Sequence, residues 1–345
     1  MRLTLLVPEL IWPEPNDHFT LGKLSEPGFE WLAAHGSFER LPRCPFESAL
    51  AQQFGLVDAP FGPLRLLGEA TAQLPGNGHW LCADPVHLRF HHERIILADA
   101  GAFDLEIDEA RAITTSLNQE FADIGQFHVA TARRWYLKLN AAVNHHADPM
   151  SKVAGRRIDG ELTDKNGPLT RWLNEVQMVL HSHPVNEQRQ SVGKPAINSI
   201  WLWGGGVMPV LGNPAYASVW SNNPLATGLA MASDTPTQPC PNNLAELLEQ
   251  TTGHGHDLVI LDDLLPPVLY EDGPGWRAAA QALDNNWFIP PRTALGGNVD
   301  TLRIVAPTIY GQLIWTLQGK DRWKFWRKPR SLPALAKFLA EGTPS

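Results

Sequence analysis

The spacing of apolar residues changes along the chain. Some short segments have the pattern of strands, and others have the pattern of helices. Two predominantly apolar runs, at 3–7 and 258–261, predict strands that are covered on both faces, as in a parallel sheet. Apolar residues at helical spacing predict helices over 107–121 and 169–180. The same criteria predict helices over 30–40, 47–54, 244–250 and 276–283, and strands over 198–203, 301–305, 309–317 and 323–326. Strands and helices that alternate at both ends predict an α/β core.

The middle of the chain has a different pattern, in which strands follow one another more closely. The strands expected there are 80–83, 94–97, 127–131 and 135–139, the last two as a hairpin. A Pro- and Gly-containing loop at 74–78 precedes them. We therefore expect an inserted, smaller α+β domain over residues 79–194, within a discontinuous core formed by residues 1–78 and 195–345.

Composition narrows the classes of function. Of 345 residues, 43% are hydrophobic and 19% are charged, so most of the chain is expected to fold. The net charge of −8 makes nucleic acid an unexpected partner. No apolar run approaches about 20 residues, so no membrane span is expected. Three widely separated cysteines, an odd number, predict a reducing and hence cytoplasmic environment.

Arginine, aspartate and histidine are dense between residues 84 and 194. A planar guanidinium group matches phosphate and carboxylate groups, which makes this region a candidate site for a small anionic metabolite. Solvated loops with surface ion pairs are the alternative explanation. The candidate ligand-binding residues are Asp84, His87, Arg89, Arg94, Asp148, Arg156, Arg157, His183, Asn186, Arg189 and Lys194.

Two patterns bear on metal binding. Asp262 and Asp263 come just after the predicted strand at 258–261, and carboxylates at the carboxyl edge of a parallel sheet are common in active sites. A helix cap or a turn would explain them equally well. Histidines also occur in close pairs, for example at 181 and 183, although a favourable position beside a helix dipole is a sufficient explanation there.

Two further patterns favour structural explanations. The run Gly204-Gly205-Gly206 follows a strand but precedes no helix, so close backbone packing is expected rather than a phosphate loop. The segment 320–330 alternates cations with tryptophans. It could stack bases, touch a membrane surface or dock an acidic partner, but an edge strand protected by lysine and arginine is the favoured interpretation.

A family resemblance rests mainly on residues 183–206. The stretch His183-Pro-Val-Asn-Glu-Gln-Arg189, then Gly193-Lys-Pro-Ala-Ile-Asn198 and the strand to Gly206, resembles archaeal-type cofactor-independent phosphoglycerate mutases of the alkaline-phosphatase superfamily. Within that group it is similar to the RpfE-type regulatory proteins of bacteria. The resemblance covers residues 80–206 and implies an alkaline-phosphatase-like parallel-sheet core with an inserted domain.

The family resemblance also implies a set of residues that hold two divalent metals, and the sequence departs from that set. Glu9 stands where the family has an aspartate after the first strand. Asp262 matches a family carboxylate, but Pro266 and Pro267 occupy the place of the histidine that should follow it. No histidine occurs after His256. The expectation is a degenerate metal site.

Three hypotheses for the function follow. In the first, the protein is a regulator or sensor without a cofactor that binds a small anionic metabolite or a protein partner. In the second, it is an active mutase or phosphatase with Mn²⁺ or Mg²⁺. Its residues would be Glu9, Asp262, Asp263, Asp272 and His256 as ligands, with Thr20 or Ser25 as the nucleophile. In the third, it is a scaffold that uses a basic, Trp-rich C-terminal hairpin.

Overall fold

The chain divides into two compact units. The computed structural model describes residues 1–342 except 23, 70, 72, 92–93, 159–168, 213, 252–253 and 325. The first unit comprises Met1–Gly55, Gly212–Ala226 and Ser233–Ser345, and the second comprises Leu56–Leu211 and Thr227–Ala232. The second unit is thus larger than the expected segment 79–194, because a helix before that segment and a strand after it pack with its sheet.

The described residues contain strands in both units and helices distributed along the chain. The strands are β1 Arg2–Leu6, β2 Ser37–Leu41, β3 His79–His91, β4 Arg94–Asp99, β5 Gly125–Thr131, β6 Arg134–Leu139, β7 Ser199–Gly206, β8 Ser218–Trp220, β9 Thr237–Gln238, β10 His256–Ile260, β11 Thr301–Thr308 and β12 Gly311–Gln318.

The α-helices are α1 His18–Leu21, α2 Pro27–His35, α3 Phe46–Gln52, α4 Phe61–Leu67, α5 Ile107–Glu120, α6 Met150–Val153, α7 Thr170–His181, α8 Pro184–Ser191, α9 Pro224–Ala232, α10 Leu244–Gln250, α11 Leu265–Leu269, α12 Gly273–Leu283, α13 Pro291–Ala294 and α14 Leu332–Glu341. A π-helical turn, Asp284–Phe288, continues α12, and a 3₁₀ turn, Gly319–Trp323, follows β12. No described helix has the length and apolar character needed to cross a membrane.

The first unit is built on a seven-stranded sheet with the order β2-β12-β11-β1-β10-β8-β9. The five strands from β11 to β9 are parallel, while β12 and β2 are antiparallel additions at one edge. Strands β1 and β10 are almost entirely buried, as their predominantly apolar runs predict. The expected mixed α/β fold with a parallel-sheet core is confirmed.

The second unit is an α+β layer. Its antiparallel sheet has the order β4-β3-β6-β5, and β7 also pairs with β3. The apolar stripes predicted from the helical spacing in α5 and α7 form a core with this sheet. The predicted hairpin is confirmed as β5 and β6.

The glycine run at the end of β7 packs closely, as expected. Gly204 has φ +64, and a Cβ atom there would lie 2.6 Å from the Cβ of Phe61 in α4. A side chain at this position would therefore both strain the backbone and displace the helix. These glycines let α4 approach the second sheet, and α4 carries the arginine on which the site described below depends.

The prediction of a helix over residues 30–40 is wrong for the second half of that range. Helix α2 ends at His35, and Gly36 has extended backbone angles. Ser37–Leu41 instead forms β2, in which Phe38 pairs with Trp315 of β12. Tertiary pairing with an existing strand thus overrides the helical spacing of apolar residues.

The prediction of a strand at 323–326 is also wrong. The predicted C-terminal hairpin, which depends on that strand, is wrong with it. Residues Gly319–Trp323 form a 3₁₀ turn, in which Gln318 and Asp321 make a reciprocal capping box. Strand β12 instead pairs with β11 on one side and with β2 on the other. The basic segment therefore does not continue the sheet as an edge strand up to Trp323.

Candidate functional site

Three carboxylates lie beyond the carboxyl ends of two neighbouring parallel strands in the first unit. Glu9 follows β1, and Asp262 and Asp263 follow β10. The two strands are paired in parallel, with Leu6 opposite Ile260. This register brings the three residues to the same edge of the sheet, which is where open α/β sheets bind ligands.

Glu9 is held in an uncommon backbone conformation. Its φ is 56°, in the left-handed region that side-chain-bearing residues avoid. Its N–H donates to the carbonyl of Pro307 at 2.9 Å, and its carbonyl accepts from the indole Nε1 of Trp276 at 3.0 Å. The residue is 9% exposed. Strand β11 and helix α12 together hold this position, and such strain is typical of functional sites.

Asp262 is also tied to the protein. The amide Nδ2 of Asn223, which follows β8, donates to Asp262 Oδ2 at 2.8 Å. Burial raises the pKa of Asp262, and the bond from Asn223 opposes that rise. Nearby, burial and then the charges of Asp262 and Asp263 raise the pKa of Cys240 to about 12. Cys240 is therefore a thiol at neutral pH, which makes it a poor nucleophile.

The remaining residues of the metal hypothesis lie elsewhere. His256 begins β10, where Thr4 Oγ1 lies 2.8 Å from its Nε2. Burial, followed by the charges of Arg2 and Arg303, lowers the pKa of His256 to about 4. At the rise of a strand, the six residues from His256 to Asp262 span about 20 Å. This histidine is therefore at the opposite edge of the sheet from the three carboxylates.

Asp272 caps a helix, and the two candidate nucleophiles, Thr20 and Ser25, differ in their exposure to solvent. Asp272 caps α12 by accepting from the N–H of Gly275 at 3.0 Å. Thr20 is buried, and its hydroxyl lies against Gly273, while Ser25 is exposed. Within the described part of the chain, no three histidine, cysteine or acidic side chains are grouped to hold a metal ion. These residues do not fit the two-metal site that the family resemblance implies.

The second unit contains a buried network of charged residues centred on Arg65 of α4. Its guanidinium group donates twice to Asp84 of β3, at 2.9 and 2.6 Å, and Nε donates to the hydroxyl of Tyr136 at 2.8 Å. The indole Nε1 of Trp203 also donates to Asp84, at 2.8 Å. Asp84 is thus fully engaged in holding Arg65, and this paired geometry is the strongest form of the interaction.

The network continues toward the surface through Glu69. Tyr136 donates to Glu69 Oε1 at 2.6 Å, and Arg134 of β6 donates to both carboxylate oxygens of Glu69, at 2.6 and 2.9 Å. The side chain of Glu69 is 2% exposed while that of Arg134 is 37% exposed. The chain of bonds from Asp84 to Arg134 therefore fixes one guanidinium group inside the unit and another at its surface.

A cavity of about 250 Å³ opens beside this network. Three arginines line it, Arg65, Arg133 and Arg134, together with Asp84 and Asp99. Burial raises the pKa of Asp99 to about 6, and the charge of Arg133 and the N–H of Gly101 partly oppose that rise. The cavity, here called the arginine pocket, therefore combines fixed cations with a carboxyl group that titrates near neutral pH.

The residues that carry the family resemblance form a structural clamp. His183 is the N-cap of α8, and its two ring nitrogens bond with the N–H of Val185 and the hydroxyl of Ser116. Asn186 donates to the carbonyls of Leu180 and Ile197 and accepts from the N–H of Ile197. These contacts bind the start of α8 to the segment before β7.

Arg189 belongs to the same clamp. It is 1% exposed and donates to the carbonyls of Pro195 and Asp104 and to the carboxylate of Glu109, at 2.7, 2.7 and 2.8 Å. All three donor nitrogens are therefore used within the fold. Lys194 lies exposed next to the clamp.

The structure brings three other predicted residues to one face of the second sheet. Ile96 of β4 pairs with Arg89 of β3 on one side and bridges to Arg157 on the other. Directly paired residues point to the same face, and Arg94 shares that face because it lies two residues from Ile96. Arg89, Arg94 and Arg157 are all exposed. They form a cationic patch on the surface, here called the arginine face.

The last three predicted residues make local contacts. His87 Nδ1 bonds with the carbonyl of Ala196 at 2.7 Å. Asp148 pairs with Lys152 four residues later. The carbonyl of Arg156 accepts from the N–H of Leu97 at 3.2 Å. These bonds fix the loop around α6 and the segment at Ala196 to the edge of the sheet.

The sequence-based selection missed Arg65, Arg133 and Arg134. A signal for the last two was present, since two consecutive arginines stand between the predicted strands of a hairpin, where side chains are exposed. Arg65 lies between Leu64 and Leu66, and a cation in a buried helix requires a buried acidic partner. That partner, Asp84, was selected as a ligand residue instead.

No family model matches the chain. The 2,3-bisphosphoglycerate-independent phosphoglycerate mutase of Methanosarcina mazei is 30% identical over 150 residues, which is 41% of this chain and 38% of that protein. The corresponding protein of Methanosarcina barkeri is 28% identical over 197 residues, 53% of this chain and 48% of that protein. The matched region spans less than half the length of either relative.

Among solved structures, the PH0037 protein from Pyrococcus horikoshii aligns with 99% of this chain and 95% of its own, at a TM-score of 0.54 and 14% identity. At that identity, the alignment shows a common fold alone. The chain is thus similar in sequence, over part of its length, to cofactor-independent phosphoglycerate mutases, and it shares a mixed α/β fold with the Pyrococcus protein.

Proposed function

We propose that this protein is a phosphoglycerate-mutase-like sensor or regulator that binds a small anionic metabolite in the arginine pocket of the second unit. The observation that carries the proposal is the convergence of Arg65, Arg133 and Arg134 on one cavity of about 250 Å³. Ligand pockets for drug-sized molecules are typically about 300–1,000 Å³. The arginine pocket therefore suits a smaller molecule, such as a three-carbon acid that carries a phosphate group.

The charge balance of the arginine pocket supports an anion. Arg65 uses all three donor nitrogens on Tyr136 and Asp84, and Arg134 is paired with Glu69, so these two groups shape the wall of the pocket. Arg133 is exposed at the pocket and lowers the pKa of Asp99 through its charge. A phosphate or carboxylate group would add a second anionic partner for Arg133, and charge-assisted bonds of this kind are strong.

The competing hypothesis, a metal-dependent mutase or phosphatase, has one observation in its favour. Glu9, Asp262 and Asp263 share the carboxyl edge of the first sheet. Against it, His256 lies at the opposite edge, and the described residues contain no group of three potential ligands that could hold a metal ion. The arrangement of these side chains therefore supports a binding function more than two-metal chemistry.

Two measurements separate the hypotheses. The first is metal content of the purified protein, with phosphoglycerate mutase turnover assayed with and without added Mn²⁺. The proposal expects neither bound metal nor turnover, and near-stoichiometric metal with turnover would overturn it. The second is thermal unfolding with 3-phosphoglycerate or inorganic phosphate, which should raise the midpoint in the wild type because ligand binds the folded state.

The arginine face offers a matched control for the second measurement. Arg133→Gln removes a charge at the arginine pocket, and Arg94→Gln removes one at the arginine face, both at exposed positions. We expect Arg133→Gln to abolish the ligand-induced shift and Arg94→Gln to leave it unchanged. The reverse result would move the anion site to the arginine face.

A further inference from the structure

A groove in the first unit includes no residue of the arginine pocket and none of Glu9, Asp262 and Asp263. It has a volume of about 590 Å³ and lies among α2, the antiparallel edge strands β2 and β12, and α14. Its lining includes four aromatic residues, here called the aromatic floor, which are Phe38, Trp315, Trp326 and Phe338. It also includes three cations, here called the cationic rim, which are Arg327, Lys328 and Arg330.

The aromatic floor contains exposed rings. Phe38 of β2 is 43% exposed, and its ring centroid lies 5.3 Å from that of the buried Trp315. Phe338 of α14 is 51% exposed, and Trp326, which also lines the groove, is 66% exposed. Rings that stand in water beside one another on a folded protein mark a surface that gains free energy when an apolar group covers it.

The cationic rim carries little compensating charge. The sequence has no acidic residue between Asp321 and Glu341. Within the part of the chain that the structure describes, Arg327, Lys328 and Arg330 form no ion pair with a carboxylate. The guanidinium group of Arg330 lies 5.1 Å from the ring centroid of Phe338, which brings a cation directly to the aromatic floor. The protein as a whole has a charge of −8, so this positive rim is a local exception.

We propose that this groove binds an aromatic anion, a flat apolar molecule that carries a carboxylate, sulfate or phosphate group. The ring of such a ligand would stack among Phe38, Trp326 and Phe338, where burial of apolar surface supplies the affinity. Its anionic group would reach the rim, where arginine offers planar, oriented donors. The volume is within the range of pockets for drug-sized ligands, about 300–1,000 Å³. The site is independent of the arginine pocket.

The test uses 8-anilinonaphthalene-1-sulfonate, an aromatic anion whose fluorescence rises when it is bound. The folded protein should bind it saturably at one site. The Arg327→Glu/Arg330→Glu double variant should weaken binding by at least about tenfold, because two attractive charges become repulsive ones. Phe338→Ala should weaken it as well, since it removes one ring of the floor. Unchanged binding in the double variant would overturn the proposal, and so would the absence of saturable binding.

Two controls separate this site from other causes of binding. Lys337→Glu makes the same change of charge sign on α14 at an exposed position outside the groove and should change the dissociation constant by less than about twofold. Circular dichroism of each variant shows that the fold is kept. Displacement by methanesulfonate should be weak, because it lacks the ring. Displacement by oligoglutamate as effective as by naphthalene-1-sulfonate would instead assign the groove to an acidic peptide and overturn the proposal.

Discussion

The two units of this protein bury carboxylates in opposite ways. In the second unit, Asp84 meets the guanidinium group of Arg65 in two bonds. In the first unit, Glu26 is 1% exposed, and neither of its carboxylate oxygens has a hydrogen-bond partner among the described residues. The charges of Asp284 and Glu30 raise its pKa in addition to burial. The second unit thus keeps a buried charge by supplying a cation, whereas the first favours the neutral acid.

The two candidate sites differ in charge in the same way. The sheet edge of the first unit gathers three carboxylates, Glu9, Asp262 and Asp263, so its charge does not suit an anion. The arginine pocket has the reverse character, because oriented guanidinium groups converge there. If the protein binds a phosphorylated or carboxylated molecule, its charges favour the second unit.

Breaking the buried pair of the second unit should have the largest effect. Asp84→Ala leaves Arg65 buried and without its partner, and we expect a loss of about 3–5 kcal/mol in the free energy of unfolding. Urea denaturation measures it. Asp108→Ala removes an exposed partner of Arg111 and should cost less than about 1 kcal/mol.

If Asp84→Ala does not fold, Asp84→Asn provides the measurement. It keeps the shape of the side chain, so the loss in the free energy of unfolding should be small enough to measure. An effect of Asp84→Asn as small as that of Asp108→Ala would contradict the central role of the buried pair.

The neutral carboxyl of the first unit should produce a pH dependence of stability. Burial, then the charges of Asp284 and Glu30, raises the pKa of Glu26 from 4.5 to about 8. Between these values the folded protein holds a proton that the unfolded chain has released, so stability falls as the pH rises through this window. We expect a fall on the order of 5 kcal/mol from this group.

Glu26→Gln should flatten that part of the pH profile, and chemical denaturation at several pH values measures it. Glu39→Gln, on the exposed strand β2, should leave the profile unchanged and serves as the control. A Glu26→Gln variant with the slope of the wild type would show that Glu26 is ionised in the folded protein.

The acidic group in the arginine pocket should make anion affinity depend on pH. The pKa of Asp99 is raised to about 6, so below that value the group is neutral and no longer repels an anion. Sulfate, whose own charge is constant over this range, should therefore bind about three- to tenfold more tightly below pH 6 than well above it. Asp99→Asn should bind tightly at both pH values. Calorimetric titration checks this, and an unchanged pH profile in Asp99→Asn would exclude Asp99 from the site.

The smallest effect is expected at the edge of the first sheet. Asn223→Ala removes the donor to Asp262 Oδ2 and should lower stability by about 1 kcal/mol. Added Mn²⁺ should leave the unfolding midpoint unchanged in the wild type, since the described residues contain no group of three histidine, cysteine or acidic side chains that could hold it. A Mn²⁺-dependent rise in the midpoint that Asp262→Asn abolishes would contradict this view of the edge.

The sequence predicts the fold better than the site. Local periodicity sufficed for the buried strands β1 and β10 and for helices α5 and α7, because each is decided by its own apolar pattern. Local periodicity failed at β2, because Phe38 pairs with Trp315, which lies almost 280 residues away in the chain. It failed again after β12, where a capping box turns the chain.

The candidate site was harder to predict because charged residues have the same appearance in a sequence whether they bind a ligand or hold the fold. Arg189 and Asn186 carry the family resemblance, yet their polar atoms are used by backbone carbonyls and by Glu109. Arg133, which no motif distinguished, lies at the pocket. Only the hydrogen-bond partners separate these two roles, and they are set by contacts between distant segments.

The most direct test of the account is a calorimetric titration of 3-phosphoglycerate into the protein just below pH 6, with Arg133→Gln and Arg94→Gln alongside the wild type. The account predicts saturable binding to the wild type, a loss of at least about tenfold in affinity for Arg133→Gln, and an unchanged affinity for Arg94→Gln. Absence of saturable heat in the wild type, or a loss confined to Arg94→Gln, would contradict the assignment of the arginine pocket as the anion site.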